Sequence, residues 1–290
     1  MTRPLRAQLE GKRFGLVLSA GFFGFFGHAG FVAGLLSRGL TPSAWSGTSA
    51  GGLIAALHAA GMSPERVRAL LLAVKREDFW DPDPLGAAVD LVRGGHRSGG
   101  LLKGEKFRAL LERDLPRRTF EGCAPRVLVA TDLTAGVPRL MDSGDLASAI
   151  VATCAYPGLF APQRRDGQLL WDGGIVDKAP ALALAQHPAA QGLEGLLLHF
   201  LPSREAPGEP RGAVAWPQGL AKGMAILRRE HLRLQLDAAR ARLPVHVVTS
   251  ELTEVGPRAL HLGPNAYDEG FQAALRALEA PADLEPRGAA

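Results

Sequence analysis

Apolar residues run from position 14 to 36 without a single residue of fixed charge, and length alone would let that run cross a bilayer. Arg3, Arg6, Lys12 and Arg13 precede it, which supplies the positive flank of a membrane anchor. Glycines at 15, 21, 24, 27, 30 and 34, together with Ser19 and His28, interrupt it. Glycine is costly inside a helix, and no small-residue cleavage site ends the run. The pattern therefore predicts three pieces instead of a span: a buried strand at 14–18, a glycine-spaced turn at 19–27 and a helix at 30–38.

The same alternation continues down the chain. A second strand is predicted at 44–48 and a helix of small and apolar residues at 50–60, closed by Gly61. Ser63 then caps a helix that has Pro64 in its first position and ends near Arg76. Residues 78–100, with Phe79 and Trp80 near their start, read either as a flap over a site or as a plain surface loop. Further on come an amphipathic helix at 103–115, a strand at 126–131, a small-residue helix at 144–155 and a strand at 168–171 that ends in Asp172-Gly173-Gly174. A helix at 178–186 and a strand at 194–200 follow, then a Pro- and Gly-rich connection at 202–217. The long helix at 218–242 carries Leu220, Met224, Leu227 and Leu234 at helical spacing among Lys222, Arg228, Arg229, Arg233, Arg240 and Arg242. That apolar stripe is expected to face the core with the arginines in water, the alternative being a basic amphipathic face for anionic lipid. A strand at 245–248 and a helix at 268–278 complete an α/β chain. The organisation expected is a basic segment at 1–13, a single domain at 14–280 and a frayed tail at 281–290.

Composition narrows the possibilities. At 290 residues, 47% hydrophobic and 21% charged, the chain is neither disordered nor a multi-span membrane protein, and its core needs no staples. Cys123 and Cys154 are too few for a disulfide framework and lack the paired spacing of a structural zinc site, which fits a reducing cytoplasm. A net charge of +4 is a mild basic tilt without the clustering of a nucleic-acid binder, so no nucleic-acid partner is expected.

The chemistry begins at Gly47-Thr48-Ser49-Ala50-Gly51, a G-x-S-x-G segment between a predicted strand and a predicted helix. A serine hydroxyl becomes a useful nucleophile when a tight strand-to-helix turn exposes it, and flanking glycines relieve the crowding there. The helix start also directs free amides toward developing negative charge. The other reading is a small-residue turn that packs the helix on the sheet. None of His187, His199, His231, His246 or His261 sits in a marked loop motif, and Ser49 follows only the second strand, early for an α/β-hydrolase with a Ser-His-Asp triad. Asp172, at a strand end beside two glycines, is either a site acid or an ordinary turn residue.

Together these residues resemble the patatin-like phospholipase family. Three blocks carry the resemblance: the glycine turn from Leu18 to Gly30, the elbow Ser46-Gly-Thr-Ser-Ala-Gly-Gly52, and a long stretch that holds Thr131-Asp132 and Gly136, Pro157 and Phe160, and Asp172-Gly173-Gly174 in the family's order. The resemblance implies a three-layer α/β/α fold with a mostly parallel central sheet, and a Ser-Asp dyad in which Asp172 activates Ser49 without a histidine. The glycine turn departs from the family's G-x-G-x-x-G. With one residue inserted before His28 the motif falls on 19–24 and keeps two of three glycines; without the insertion it falls on 20–25. The basic residue common before the last glycine in bacterial members is absent in both registers. Oxyanion stabilisation would then rest on the backbone amides of Gly21 and Phe22, with Ala50 as a third donor. The phenylalanines at 22, 23, 25 and 26 would line an acyl-chain wall, or in the case of Phe25 and Phe26 simply pack on the sheet.

The function expected is a serine acyl hydrolase of lipid esters that acts through an acyl-enzyme and needs neither metal nor cofactor. Its partner would be the lipid ester substrate, with peripheral membrane contact by the 78–100 segment or the long basic helix. The competing expectations are a membrane-anchored or scaffold protein with a vestigial dyad, and a Ser-His-Asp α/β-hydrolase.

Overall fold

The computed structural model describes residues 3–92, 99–203, 209 and 215–281. The expected fray beyond 281, the end of the 78–100 segment and most of the 202–217 connection lie outside the described residues. After α1 (Leu5–Leu9), the charge-free run divides into β1 (Phe14–Leu18) and α2 (Phe25–Ser37), and the chain continues through β2 (Ala44–Thr48), α3 (Ala50–Ala59), α4 (Pro64–Ala73) and α5 (Pro84–Val92). Next come β3 (Gly100–Leu102), α6 (Glu105–Asp114), β4 (Arg126–Asp132), β5 (Val137–Met141), α7 (Leu146–Thr153), β6 (Gly158–Phe160), β7 (Gln163–Arg165) and β8 (Gln168–Asp172). The last elements are α8 (Ala181–Gln186), β9 (Gly195–Phe200), α9 (Ala215–Arg240), β10 (Val245–Thr249) and α10 (Gly263–Glu279).

Strands β10, β9, β1, β2 and β4 pair in that order, all parallel, and β8, β7 and β5 add an antiparallel margin beside β4. Alternating residues of β1 separate the two faces: Leu16 and Leu18 join the core under α2, α3, α7 and α10, whereas Val17 joins Leu184 of α8 and Leu232 and Leu236 of α9. The result is the three-layer α/β/α arrangement with a mostly parallel sheet. Among the described residues no helix is long and apolar enough to cross a membrane. The glycines of α2 serve helix packing. A Cβ at Gly30 would run into the backbone of Tyr267 on α10, and one at Gly34 would come within 2.6 Å of the Ala274 Cβ. The basic N-terminal stretch is docked too: Leu5 and Leu9 are buried, and the Leu5 amide donates to the Ala280 carbonyl at 3.0 Å.

Two expectations are corrected. The stripe of Leu220, Met224, Leu227 and Leu234 does not enter the core; Leu220 is 60%, Leu227 65% and Leu234 62% exposed. The buried face of α9 is Leu232, Leu236 and Ala239. Position 234 lies about 200° round the helix from 232 at ~100° per residue, so the helix has two apolar stripes and the sheet takes the shorter one. The second correction concerns 78–100, which is no loose loop at its start. Phe79 is buried, Trp80 lies beneath the Arg76 guanidinium at 3.7 Å, and Asp81 accepts the amides of Gly104 and Lys106 to fix the start of α6. Residues 84–92 then form α5, which turns Leu85 and Val92 outward.

Candidate active site

Ser49 sits between β2 and α3 at φ 54°, ψ −125°, a backbone conformation that costs a non-glycine residue about 1–3 kcal/mol and persists only where its surroundings impose it. Those surroundings can be named. A Cβ at Gly47 would lie 2.5 Å from the Gly51 carbonyl carbon, and one at Gly51 would run into the Leu18 carbonyl, so the turn closes only with glycine on both sides. The Ser49 amide donates to Thr153 Oγ1 at 2.9 Å, and Thr153 in turn donates to the Val129 carbonyl. The Ser49 carbonyl takes the Leu53 amide at 2.9 Å and the Cys154 thiol at 3.3 Å. Backbone bonds thus hold the residue while its hydroxyl faces an open cavity.

Sheet register brings Asp172 beside it. On β4, Val129 pairs with Thr48 and the next residue, Ala130, pairs with Asp172, so the ends of β2 and β8 meet at consecutive rungs. A Cβ at Gly173 would lie 2.9 Å from Thr48 Cγ2, which is why glycine follows the acid. Asp172 is 2% exposed. Its Oδ1 accepts the Gly174 amide at 2.7 Å, and its Oδ2 makes no full hydrogen bond among the described residues. Burial pushes the carboxyl up to about 6; the Ser49 hydroxyl, the Gly174 amide and the Arg228 guanidinium on α9 pull the other way. The hydroxyl is therefore near enough to be felt by the carboxyl yet short of hydrogen-bond geometry.

A cavity of about 100 Å³ opens beside Ser49 and Ala50 and is walled by Phe22, Phe23, Leu71, Phe79 and Phe160 among other apolar side chains. Phe22, at φ 50° and half exposed, stands edge-on to Tyr156 at 5.5 Å at the rim. The amides of Gly21, Phe22 and Ala50 find no acceptor among the described residues. Phe25 also lines the cavity, whereas Phe26 is fully buried in the core against α10.

A family model described as patatin-like phospholipase matches residues 16–185, more than half of the chain. The chain belongs to the patatin-like phospholipase family. An uncharacterized NTE family protein of Mycobacterium bovis is 32% identical over 190 residues, covering 64% of this chain and 50% of that protein. Patatin-like phospholipase domain-containing protein 6 of Mus musculus is 27% identical over 176 residues, 60% of this chain and 12% of that one. The chain thus spans half or less of the length of these curated relatives. Among solved structures, VipD from Legionella pneumophila aligns with 93% of this chain and 67% of its own at 16% identity and a TM-score of 0.49.

In this patatin-like chain the structure gathers Ser49, Ala50 and Phe22 around one cavity, with Asp172 behind Ser49 and Gly21 in the same turn as Phe22. None of the five histidines considered from the sequence hydrogen-bonds Ser49 or Asp172: His187 pairs with Asp142 at the surface, and His199 is buried elsewhere. Cys154 remains a thiol, because burial, and then the Asp172 charge, push it well above its ordinary value. Among the described residues no group of three His, Cys, Asp or Glu is placed to hold a metal. Sequence reasoning missed Thr153, which anchors Ser49, and Arg228, whose charge reaches Asp172. Neither carries a local signal, since each acts from another element across the fold.

Proposed function

We propose that this protein is a serine acyl hydrolase of lipid carboxylic esters. The observation that carries the reading is the pair itself: a serine held at positive φ at a helix start, beside a buried carboxylate with one oxygen unpartnered, at the mouth of an apolar cavity. Ser49 Oγ attacks the ester carbonyl as its proton passes to Asp172 Oδ2, and the carbonyl oxygen gathers charge near the free amides of Gly21, Phe22 and Ala50. Asp172 returns the proton to the leaving alcohol. Water, deprotonated by the same carboxylate, then attacks the acyl carbonyl, and Asp172 returns that proton to Ser49 Oγ as the carboxylic acid leaves. The cavity suits an acyl chain, because its wall offers aromatic and aliphatic side chains and almost no polar group. A fluorophosphonate probe tests the core of this reading: it should label the wild type and leave Ser49→Ala unlabelled, and equal labelling of both would overturn it.

The reading also includes how an insoluble substrate is met. The outward stripe of α9, with Trp216 76% exposed, offers an apolar face to a bilayer surface; at ~100° per residue Arg233 lies about 100° to one side of Leu234 and can add its charge at an anionic surface, whereas Arg229 lies about 200° from Leu227, toward the buried face. Binding to vesicles should rise with anionic lipid and fall between low and high salt. Replacing Leu220 and Leu227 with Ser and Arg233 with Gln should weaken it at least tenfold while hydrolysis of a soluble ester is unchanged. Arg228 is left in place because its charge reaches Asp172. Unchanged vesicle affinity, or a variant that changes only the oligomeric state, would assign the stripe to a protein contact instead.

A further inference from the structure

Two buried histidines outside the Ser49–Asp172 pair form a chain of hydrogen bonds that ends at the root of the glycine turn. His28 Nε2 lies 2.8 Å from the Ser19 carbonyl, His28 Nδ1 lies 2.9 Å from His199 Nδ1, and His199 Nε2 lies 3.0 Å from Ser250 Oγ. The direction of every proton follows from the first contact. A carbonyl oxygen only accepts, so His28 Nε2 carries the hydrogen and Nδ1 of the neutral ring accepts. His199 Nδ1 must then donate, His199 Nε2 must accept, and the Ser250 hydroxyl supplies the last hydrogen. A second proton on His28 Nδ1 would face the hydrogen on His199 Nδ1, and one on His199 Nε2 would turn the Ser250 hydroxyl from donor to acceptor. Burial acts in the same sense, lowering His28 to about 4; His199 lies well below its ordinary value, from burial and then the neighbouring His28. Phe31 stacks on His199 at 3.8 Å and fixes its plane.

What the chain holds is Ser19, the last residue before the turn. Its carbonyl takes His28 Nε2, its Oγ takes the Leu201 amide at 2.9 Å, and its own amide donates to the His199 carbonyl at 3.2 Å. One residue on, the Ala20 amide donates to the Lys178 carbonyl at 2.7 Å, and the turn is closed by Gly24 donating to the Gly21 carbonyl at 2.7 Å. The far end of the turn is tied to the same residue, because His28 sits in the first turns of α2 and its amide donates to the Gly24 carbonyl at 3.0 Å. Gly21 and Phe22 lie between these two fixed points with their amides unused.

We propose that His28 and His199 are positioning residues for the oxyanion turn: the directed chain from Ser250 through both rings to the Ser19 carbonyl sets where the Gly21 and Phe22 amides point. This rests on the reading above that those amides receive the developing oxyanion.

Paired substitutions separate positioning from bulk. His28→Gln keeps a donor where Nε2 stood and loses the acceptor for His199; His28→Asn keeps the acceptor and loses the bond to Ser19. Turnover of a soluble ester should fall about ten- to hundredfold in His28→Asn, the scale of a 1 Å misplacement at a reacting centre, with KM little changed. His28→Gln should retain more of kcat than His28→Asn and fall short of wild type by what the lost His199 link contributes. His199→Asn, which keeps a donor toward His28, should likewise exceed His199→Gln. The second readout needs no turnover: in amide ¹H–¹⁵N spectra the Gly21 and Phe22 signals should move in His28→Asn and stay near their wild-type positions in His28→Gln. The proposal is overturned if those signals are unmoved in His28→Asn, or if both His28 variants lose kcat equally and in step with thermal stability. Absence of Ser49-dependent turnover in the wild type would sink the hydrolase reading, and the amide signals would still decide whether the histidines set the turn.

Discussion

Ser49→Ala is expected to lower turnover of p-nitrophenyl acyl esters by about 10⁴-fold or more, and Asp172→Asn to do the same. The double variant should be hardly worse than either, because nucleophile and base act on one proton. The fold should survive both changes. The bonds that hold Ser49 run through its backbone, to Thr153 and Leu53, and alanine keeps them. Asparagine at 172 keeps an oxygen for the Gly174 amide. A third variant sharpens the test. Ser49→Gly is equally dead by this mechanism but relieves a φ of 54°, so it should unfold at a higher temperature than Ser49→Ala by an amount equivalent to about 1 kcal/mol. Turnover in Ser49→Ala comparable to wild type would remove the mechanism altogether.

Much of the parallel half of the fold was legible because its signals are local. The strands at 14–18 and 44–48 have the bounds expected, and glycine spacing was enough to prefer a strand and a helix over a membrane span. Asp172 stood out at its strand end beside two glycines. The antiparallel margin was not legible: β5 contains Pro138 and is largely exposed, as an edge strand can be, and β7 is three polar residues long. For α9 the period was right and the phase wrong, because a helix with two apolar stripes does not say which one the sheet will take. Phe79 was expected in a surface segment, yet it closes the cavity against Phe23, 56 positions earlier in the chain. The His28–His199 contact joins α2 to β9 across 171 positions, a distance at which one sequence gives no pairing signal. What remained hidden in each case was a long-range choice among locally equivalent faces.

The proposed base also makes a prediction about pH, in two observables with opposite signs. Asp172 must be ionised to accept the Ser49 proton, and its pKa in the fold is about 6. The value of kcat/KM should therefore climb about tenfold per pH unit below 6 and level off above it. Stability should run the other way. The folded carboxyl binds its proton more tightly than the unfolded one at 3.8, so its contribution is complete below 3.8 and is lost as pH rises through 6. At pH 8 the ionised, buried Asp172 then costs the fold about 3 kcal/mol, taking 1.36 kcal/mol per pKa unit as an upper bound. Asp177 acts in the same direction, pushed by burial to about 7 against the pull of the Ala179 amide, and is not in the proposed mechanism. Buried His28 and His58, both lowered to about 4 chiefly by burial, contribute stability above 6.5 that is lost as pH falls through 4, which bounds the acid side. Differences between variants isolate each group. Asp172→Asn should be inactive yet more stable than wild type at pH 8, with the gain vanishing toward pH 4, whereas Asp177→Asn should gain stability at pH 8 and keep the activity limb near 6. Urea unfolding of the three proteins at pH 4, 6 and 8, set beside their pH–rate profiles, checks this directly. A flat kcat/KM between pH 5 and 8, or an Asp172→Asn less stable than wild type at pH 8, would show that the carboxylate is a structural partner and not the base.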